Sequence, residues 1–338
     1  MKSLFYFLLV LIIGQSYGQA SDFSHIDFKK ADSIALSLSS ERLTNLPELS
    51  LKLTEHLDTD IERFRAIYRW VCDNIANDYS LYLKNSRKRQ RFKDDSLKFK
   101  AWNTKFRQII FKNLLRRERT ICTGYAYLVK TLSDLANIDC EIVQGYGRVS
   151  TTNINKLNLP NHSWNAVKLN DKWYLCDPTW ASGIPNPETN RFKFAYNDGF
   201  FLTNPKLFAV NHFPVDSKWW LLDDSIPTFD QFLSAPVVYG NAYKNLEFLD
   251  QPKQMHHDIK KHQSLDLVMT VKENLNKEDL HLLIDNGIEP KKVNLSSVNI
   301  EGKQLQLSHT FDNIGFYDVH LYIKNDLIAT YTVDVAKN

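Results

Sequence analysis

The chain has 338 residues, 43% of them hydrophobic, with a formal net charge of +3. That length exceeds one usual domain and the apolar content is ample for packed cores, so two folded domains are expected and a low-complexity or disordered chain is excluded. The small net charge hides an asymmetry: between Lys84 and Arg119 fourteen Lys and Arg stand against three acids, which leaves the rest of the chain net negative.

Lys2 precedes an apolar run of ten residues, Leu4 to Ile13, and then small residues at Gly14, Ser16, Gly18 and Ala20. This is the pattern of a cleavable signal peptide over residues 1–20, with cleavage after Gly18 or Ala20, and it predicts a secreted, periplasmic or envelope location. The run is shorter than the roughly 20 residues of a spanning helix, no cysteine lies near the junction, and no later segment reads as transmembrane. Residues 25–79 carry helical periodicity with a break at Pro47. In the amphipathic segment Asp60–Ala76, Cys72 continues the stripe of Ile61, Phe64, Tyr68, Val71 and Ile75 and reads as a buried thiol. Within the basic stretch 84–119, Ser86–Asp95 reads as a solvated loop, while the recurrence of Phe106, Ile110, Phe111, Leu114 and Leu115 predicts a closing helix. The stretch itself has two readings: a solvated face offset by acids elsewhere, or a patch that meets an anionic substrate or envelope surface and favours a nearby thiolate. Nucleic acid is not an expected partner, since no binding motif is present.

From Thr123 to Asn137 the apolar positions share one helical face. Cys140, Ile142 and Gln144 then begin a strand that Gly145 and Gly147 are expected to break. After a polar loop from Ser150 to Pro160, a hairpin is expected: Ser163–Leu169, a turn at Asn170-Asp171, and Lys172–Asp177. Residues 186–236 show little periodicity and are expected to wrap the domain before them. Beyond Tyr239, alternation at Leu265–Val271, Lys291–Val298, Gln304–Leu307, Tyr317–Ile323 and Ala329–Val335 predicts a small antiparallel, immunoglobulin-like sandwich. The division is therefore 21–238 and 239–338.

Cys122 falls where a loop gives way to a helix, so the helix dipole would favour a thiolate and a first-turn N–H could help bind an oxyanion. Taken alone, a buried structural thiol is the commoner fate of such a residue. A thiol nucleophile needs a base that later becomes a proton donor, and His162 supplies an imidazole. If Asn170-Asp171 is a two-residue turn, Leu169 faces Lys172, and His162 and Asp177 become diagonal neighbours on one sheet face. Against this, Asp177 before Pro178 also reads as an ordinary turn residue. His25, His212, His256, His257 and His262 show no partner pattern. Cys140 and Cys176 both read as strand residues and could pair, whereas a nucleophilic Cys122 must stay free.

The segments Cys122-Thr123-Gly124-Tyr125-Ala126, His162-Ser163-Trp164-Asn165 and Asp177-Pro178-Thr179-Trp180 together resemble the motifs of the transglutaminase-like superfamily, in its chain order. Ile67-Tyr68-Arg69-Trp70-Val71 resembles the helix before that catalytic core. Phe201-Leu202-Thr203-Asn204-Pro205 with His212-Phe213-Pro214 is similar to a segment of the kyphoscoliosis peptidase branch. The resemblance implies a secreted bacterial member with an α+β, papain-like core, in which the cysteine helix packs on an antiparallel sheet. It makes Cys122 the nucleophile, His162 the base and Asp177 the orienting carboxylate of an enzyme acting on protein or peptide amides through a thioester. Hydrolysis and transfer to an amine both remain open, as does a catalytically silent binding or scaffolding module of the envelope. Trp102 is a candidate oxyanion residue by type, with packing as its other reading. No cofactor or metal is expected, because the acid-rich loops of calcium-dependent members have no counterpart here.

Overall fold

The computed structural model describes residues 19–337 except 187, 188, 190 and 223–225. The apolar leader therefore lies outside the described residues.

Three helices open the chain: α1 (Lys29–Ser37), α2 (Leu46–Thr54) and α3 (Asp60–Asn74). Helix α3 starts on a capping box in which Thr59 Oγ1 accepts from the Glu62 N–H while the Glu62 carboxylate accepts from the Thr59 N–H. Its expected stripe is buried, with Cys72 completely enclosed. A parallel pair of two-residue strands, β1 (Ala76–Asn77) and β2 (Arg119–Thr120), brackets two long helices, α4 (Tyr79–Phe92) and α5 (Ser96–Arg117).

The basic stretch thus corrects one expectation: Ser86 to Phe92 is helical, and the break is confined to the residues around Asp94. Helix α4 buries only Leu81, so periodicity could not reveal it. Its Lys, Arg, Gln and Leu residues favour a helix intrinsically. The Asp78 and Asp95 carboxylates cap the starts of α4 and α5 by accepting from the N–H groups of Leu81 and Lys98. Trp102 lies between these two helices, donating to Asn85 Oδ1 at 3.0 Å and stacking on Phe106; its place in the fold is packing.

Helix α6 (Cys122–Leu135) is central. One side carries Leu128, Val129 and Leu132 into the core, and Ser50 of α2 ties to it by donating to the Leu132 carbonyl. The other side lies on a four-stranded antiparallel sheet in the order β5–β4–β3–β8, built from β3 (Cys140–Gly147), β4 (His162–Leu169), β5 (Lys172–Cys176) and β8 (His212–Pro214). The hairpin register is the expected one: Asn170 and Asp171 both adopt positive φ, Leu169 pairs with Lys172, and Asn165 pairs with Cys176. Strand β3 does not break at its glycines but runs on through Gly147. At Gly145 a Cβ would sit 2.3 Å from the Phe213 carbonyl oxygen and 2.4 Å from the Trp164 ring, so glycine permits the close strand approach.

The segment after β5 holds α7 (Pro178–Ser182), the pair β6 (Gly183–Pro185) and β7 (Phe192–Phe194), α8 (Pro205–Asn211) and α9 (Phe229–Ser234). Strand β9 (Val237–Val238) and helix α10 (Gly240–Asn245) lead into an all-β C-terminal region. One sheet there has the order β10 (Leu246–Gln251), β12 (Ser264–Val271), β16 (Gln304–Thr310), β15 (Ser297–Glu301). The other has β11 (His256–Lys260), β18 (Asp326–Ala336), β17 (Gly315–Ile323), β13 (Leu280–Asp285), β14 (Lys291–Val293), with β9 also paired to β18. Leu267, Met269, Leu305, Leu321 and Val333 are all buried within it. The run Lys291–Val298, read as one strand, is divided between the two sheets. The molecule is α+β, a core of helices and an antiparallel sheet followed by this all-β region.

Candidate active site

Helix α6 begins at Cys122 because Ile121 is still extended, with φ −108° and ψ 178°, and short strand β2 fixes the residues before it. A Cβ on Gly124 would lie 1.9 Å from Thr120 Oγ1, so only glycine lets the first turn sit this close to β2. Tyr125 donates its hydroxyl to the Ile75 carbonyl and accepts from Ser182 Oγ, tying α6 to the end of α3 and to α7. Asn165 on β4 donates to the Ala126 carbonyl at 2.9 Å. The residues surrounding Cys122 in the motif thus hold its helix in place.

Asp177 leaves the strand after Cys176 and becomes the N-cap of α7, with Pro178 at the first helical position. Asp177 is thus a turn residue that also lies beside His162. Its Oδ1 accepts from the Thr179 and Trp180 N–H groups at 2.9 and 3.1 Å, which turns Oδ2 toward His162 Nε2 at 2.6 Å. Cys122 lies on the other side of His162, close enough that each group shifts the titration of the other. Trp180 stacks on the imidazole with centroids 4.7 Å apart. Cys122, His162 and Asp177 are thus brought together, all buried, with Cys122 retaining 6% exposure. All four cysteines are free thiols, so Cys140 and Cys176 do not pair.

A fourth residue completes the cluster, and it was among the histidines set aside above. His212, at the start of β8, places Nε2 3.1 Å from the same Asp177 Oδ2 and Nδ1 3.1 Å from the Phe208 carbonyl. It is 1% exposed and stacks on Phe208 with centroids 3.7 Å apart. The available signal was its setting in the apolar run Leu207–Pro214, where a histidine must be buried and therefore partnered. Its partner lies 35 positions away on another element, which no local pattern reveals.

Burial disfavours charge on each of these groups, and their mutual contacts decide the outcome. For Asp177, two imidazoles and two backbone N–H groups overcome burial and hold the carboxyl well below its ordinary range. For His162, burial is outweighed by the Asp177 carboxylate and the Cys122 sulfur, so its pKa is raised. For Cys122, burial is again outweighed, here by the His162 hydrogen bond and charge with help from the Ser163 N–H, so the thiol is lowered. His212 goes the other way: burial and the adjacent His162 cation bring it down to about 4, leaving it neutral. Both ring nitrogens of His212 face acceptors, so a neutral imidazole donates to only one of them, Asp177 Oδ2 or the Phe208 carbonyl. By contrast Cys72, Cys140 and Cys176 are all raised by burial.

His162 Nε2, Asp177 Oδ2 and His212 Nε2 lie within 4.8 Å of one another, as a metal site would require. At 2.6 and 3.1 Å the two imidazole nitrogens also stand at hydrogen-bond distance from the shared carboxylate oxygen. The arrangement is a proton and charge network.

Residues 47–178 match the family model described as the transglutaminase-like superfamily, so this part of the chain is a transglutaminase-like domain, of a superfamily that is generally enzymatic and built on papain-like cysteine chemistry. Within it the chain is of the kyphoscoliosis peptidase type. It is 35% identical to the kyphoscoliosis peptidase of Homo sapiens over 197 residues, which cover 58% of this chain and 27% of that protein. It is 27% identical to Hillarin of Drosophila melanogaster over 241 residues, covering 67% of this chain and 27% of the relative. The Lim and transglutaminase domain protein ltd-1 of Caenorhabditis elegans is 24% identical over 237 residues, covering 66% and 30%. The chain spans about a quarter of the length of the kyphoscoliosis peptidase and Hillarin relatives, at 27% in each case.

Proposed function

We propose that this protein is a cysteine-dependent acyl-transfer enzyme acting on protein or peptide amides through a thioester, with Cys122 as nucleophile, His162 as base and acid, and Asp177 as the orienting carboxylate. The observation that carries the reading is the buried His162 Nε2 at 2.6 Å from Asp177 Oδ2, with the Cys122 thiol near enough to be lowered by that imidazole. In the resting pair the proton sits on His162 and the charge on sulfur. The thiolate adds to the amide carbonyl, the first-turn N–H groups of α6 face the developing oxyanion, and the His162 imidazolium gives its Nδ1 proton to the departing amine. Neutral His162 then takes a proton from water or from an acceptor amine as that nucleophile attacks the thioester, and the sulfur leaves as thiolate. Water makes the enzyme a peptidase or amidase; an amine makes it a transglutaminase.

Product analysis of glutamine-containing peptides incubated with and without a primary amine separates cleavage, deamidation and cross-linking. Cys122→Ala is expected to abolish all three. Turnover that survives the substitution overturns the assignment.

The second reading, a silent binding or scaffolding module, draws on the burial of Cys122, at 6% exposure. The complete set of Cys122, His162 and Asp177 favours turnover. We further propose export through residues 1–20, and a division between a catalytic part over 21–238 and an immunoglobulin-like part over 239–338. Among the described residues no helix is long and apolar enough to cross a membrane.

A further inference from the structure

Helices α4 and α5 bring the basic stretch to the site through one residue. Arg89 donates from Nη1 to the Pro160 carbonyl at 2.6 Å, two positions before His162, and its guanidinium lies over the Phe99 ring at 5.3 Å. Next to it Tyr82 hydrogen-bonds Asn161, whose side chain clasps the Gly147 backbone at both N–H and carbonyl. Burial lowers the pKa of Arg89, and Cys122, Tyr82 and Tyr146 work against that shift. The Arg89 Nε is buried and has no hydrogen-bond partner among the described residues. Tying α4 to Pro160 requires a single donor. A desolvated guanidinium with an unused N–H is a costly way to supply one, since a buried donor left unpaired is unfavourable. With Nη1 on Pro160 and Phe99 across one face, the edge formed by Nε and Nη2 is left over. That edge is the one that pairs in parallel with two carboxylate oxygens.

We infer that Arg89 recognises substrate, its Nε–Nη2 edge receiving a carboxylate that the peptide carries close to the amide attacked by Cys122. The inference rests on the acyl-transfer reading and adds a specificity to it: acidic peptides are preferred over their amide isosteres.

The test uses the full chain and a pair of small probes that differ only in the group Arg89 would bind. Rates of Cys122 alkylation by iodoacetate and by iodoacetamide are followed by mass spectrometry, and their ratio is the readout. Arg89→Gln is expected to lower the iodoacetate-to-iodoacetamide ratio about tenfold, as loss of a charge-assisted contact would, while the iodoacetamide rate stays within about twofold. Arg87→Gln, which removes an exposed charge from the same helix, is expected to leave the ratio alone. An unchanged ratio in Arg89→Gln, or an equal fall in Arg87→Gln, overturns the inference, the latter because it marks a diffuse field. If Arg89→Gln loses both reactions, Arg89→Lys takes its place: it keeps a donor for Pro160 but lacks the planar edge, so the ratio must again fall, and an unchanged ratio again overturns the inference. Failure of both reagents at Cys122 in the unaltered chain would instead strike the acyl-transfer reading.

Discussion

Gly147 passes directly beneath His162: a Cβ built on the glycine would stand 2.9 Å from both the Cβ and the Cγ of the histidine. On β3 Gly145 pairs with His162 and Gly147 with His212, so this end of the strand runs between the two imidazoles that share Asp177. Gly147→Ala is expected to push the His162 ring off its line to Cys122 and lower kcat by roughly tenfold to a hundredfold, since displacements of about 1 Å have that effect. Melting temperature measured alongside kcat separates this from unfolding, and an unchanged kcat would refute the crowding argument.

Alkylation of the native chain at neutral pH is expected to modify Cys122 alone. Cys72, Cys140 and Cys176 are enclosed, with thiols raised by burial, whereas the Cys122 thiol is lowered by His162. Peptide mapping after brief iodoacetamide treatment checks this; labelling spread over several cysteines would contradict it.

Asp177→Asn retains an oxygen for the Thr179 and Trp180 N–H groups, so α7 keeps its cap, but it removes the charge that raises His162. The thiolate–imidazolium pair spans the interval between a lowered Cys122 and a raised His162, and the substitution narrows that interval. The pH at which Cys122 becomes reactive is expected to move up toward the ordinary thiol range near ~8.5, and kcat to fall by about a thousandfold or more. The pH–rate profile of alkylation reports the first effect. A profile that does not move would mean that Asp177 is only a cap.

His212 predicts an acid-side loss of stability. Its folded pKa is depressed to about 4 against an unfolded value near ~6.5, so its contribution is present above the unfolded value and lost as pH falls from there toward 4. The span corresponds to a few kcal/mol. His162 has the opposite sign: its raised value adds stability that is present below ~6.5 and lost as pH climbs through the folded pKa. Urea midpoints measured between pH 7 and 4 are expected to fall less steeply for His212→Gln than for the unaltered chain. Parallel slopes would remove His212 as the cause.

The site was legible where its geometry is local. Asn170-Asp171 forces a two-residue turn, and from that turn the parity of His162 and Asp177 follows by counting. Parity placed the two residues on one side but not in contact; the contact comes from Asp177 leaving the strand to cap α7, which aims Oδ2 back at His162. His212 escaped because its relation to Asp177 is made by β8 adding to the far edge of the sheet, after a stretch with no periodicity to read. Helix α4 escaped for a different reason: it buries too little for an amphipathic signal, and its stability comes from propensity and a cap. Strands β10, β11 and β13 were also passed over, being short and bounded by polar residues.

Strand β9 has one more consequence. Asn211, the residue before His212, donates its side-chain amide to the Val238 carbonyl at 3.0 Å, and Arg148, the residue after Gly147, donates to the Pro236 carbonyl at 2.8 Å. Val237 and Val238 are themselves held by Thr330 and Ala329 of β18. A chain cut after Val238 would keep Cys122, His162, Asp177 and His212, yet it would leave the anchor for two of their immediate neighbours without its own support. The two parts should therefore melt in one cooperative transition, and the part that holds Cys122 should not survive alone as a stably folded fragment.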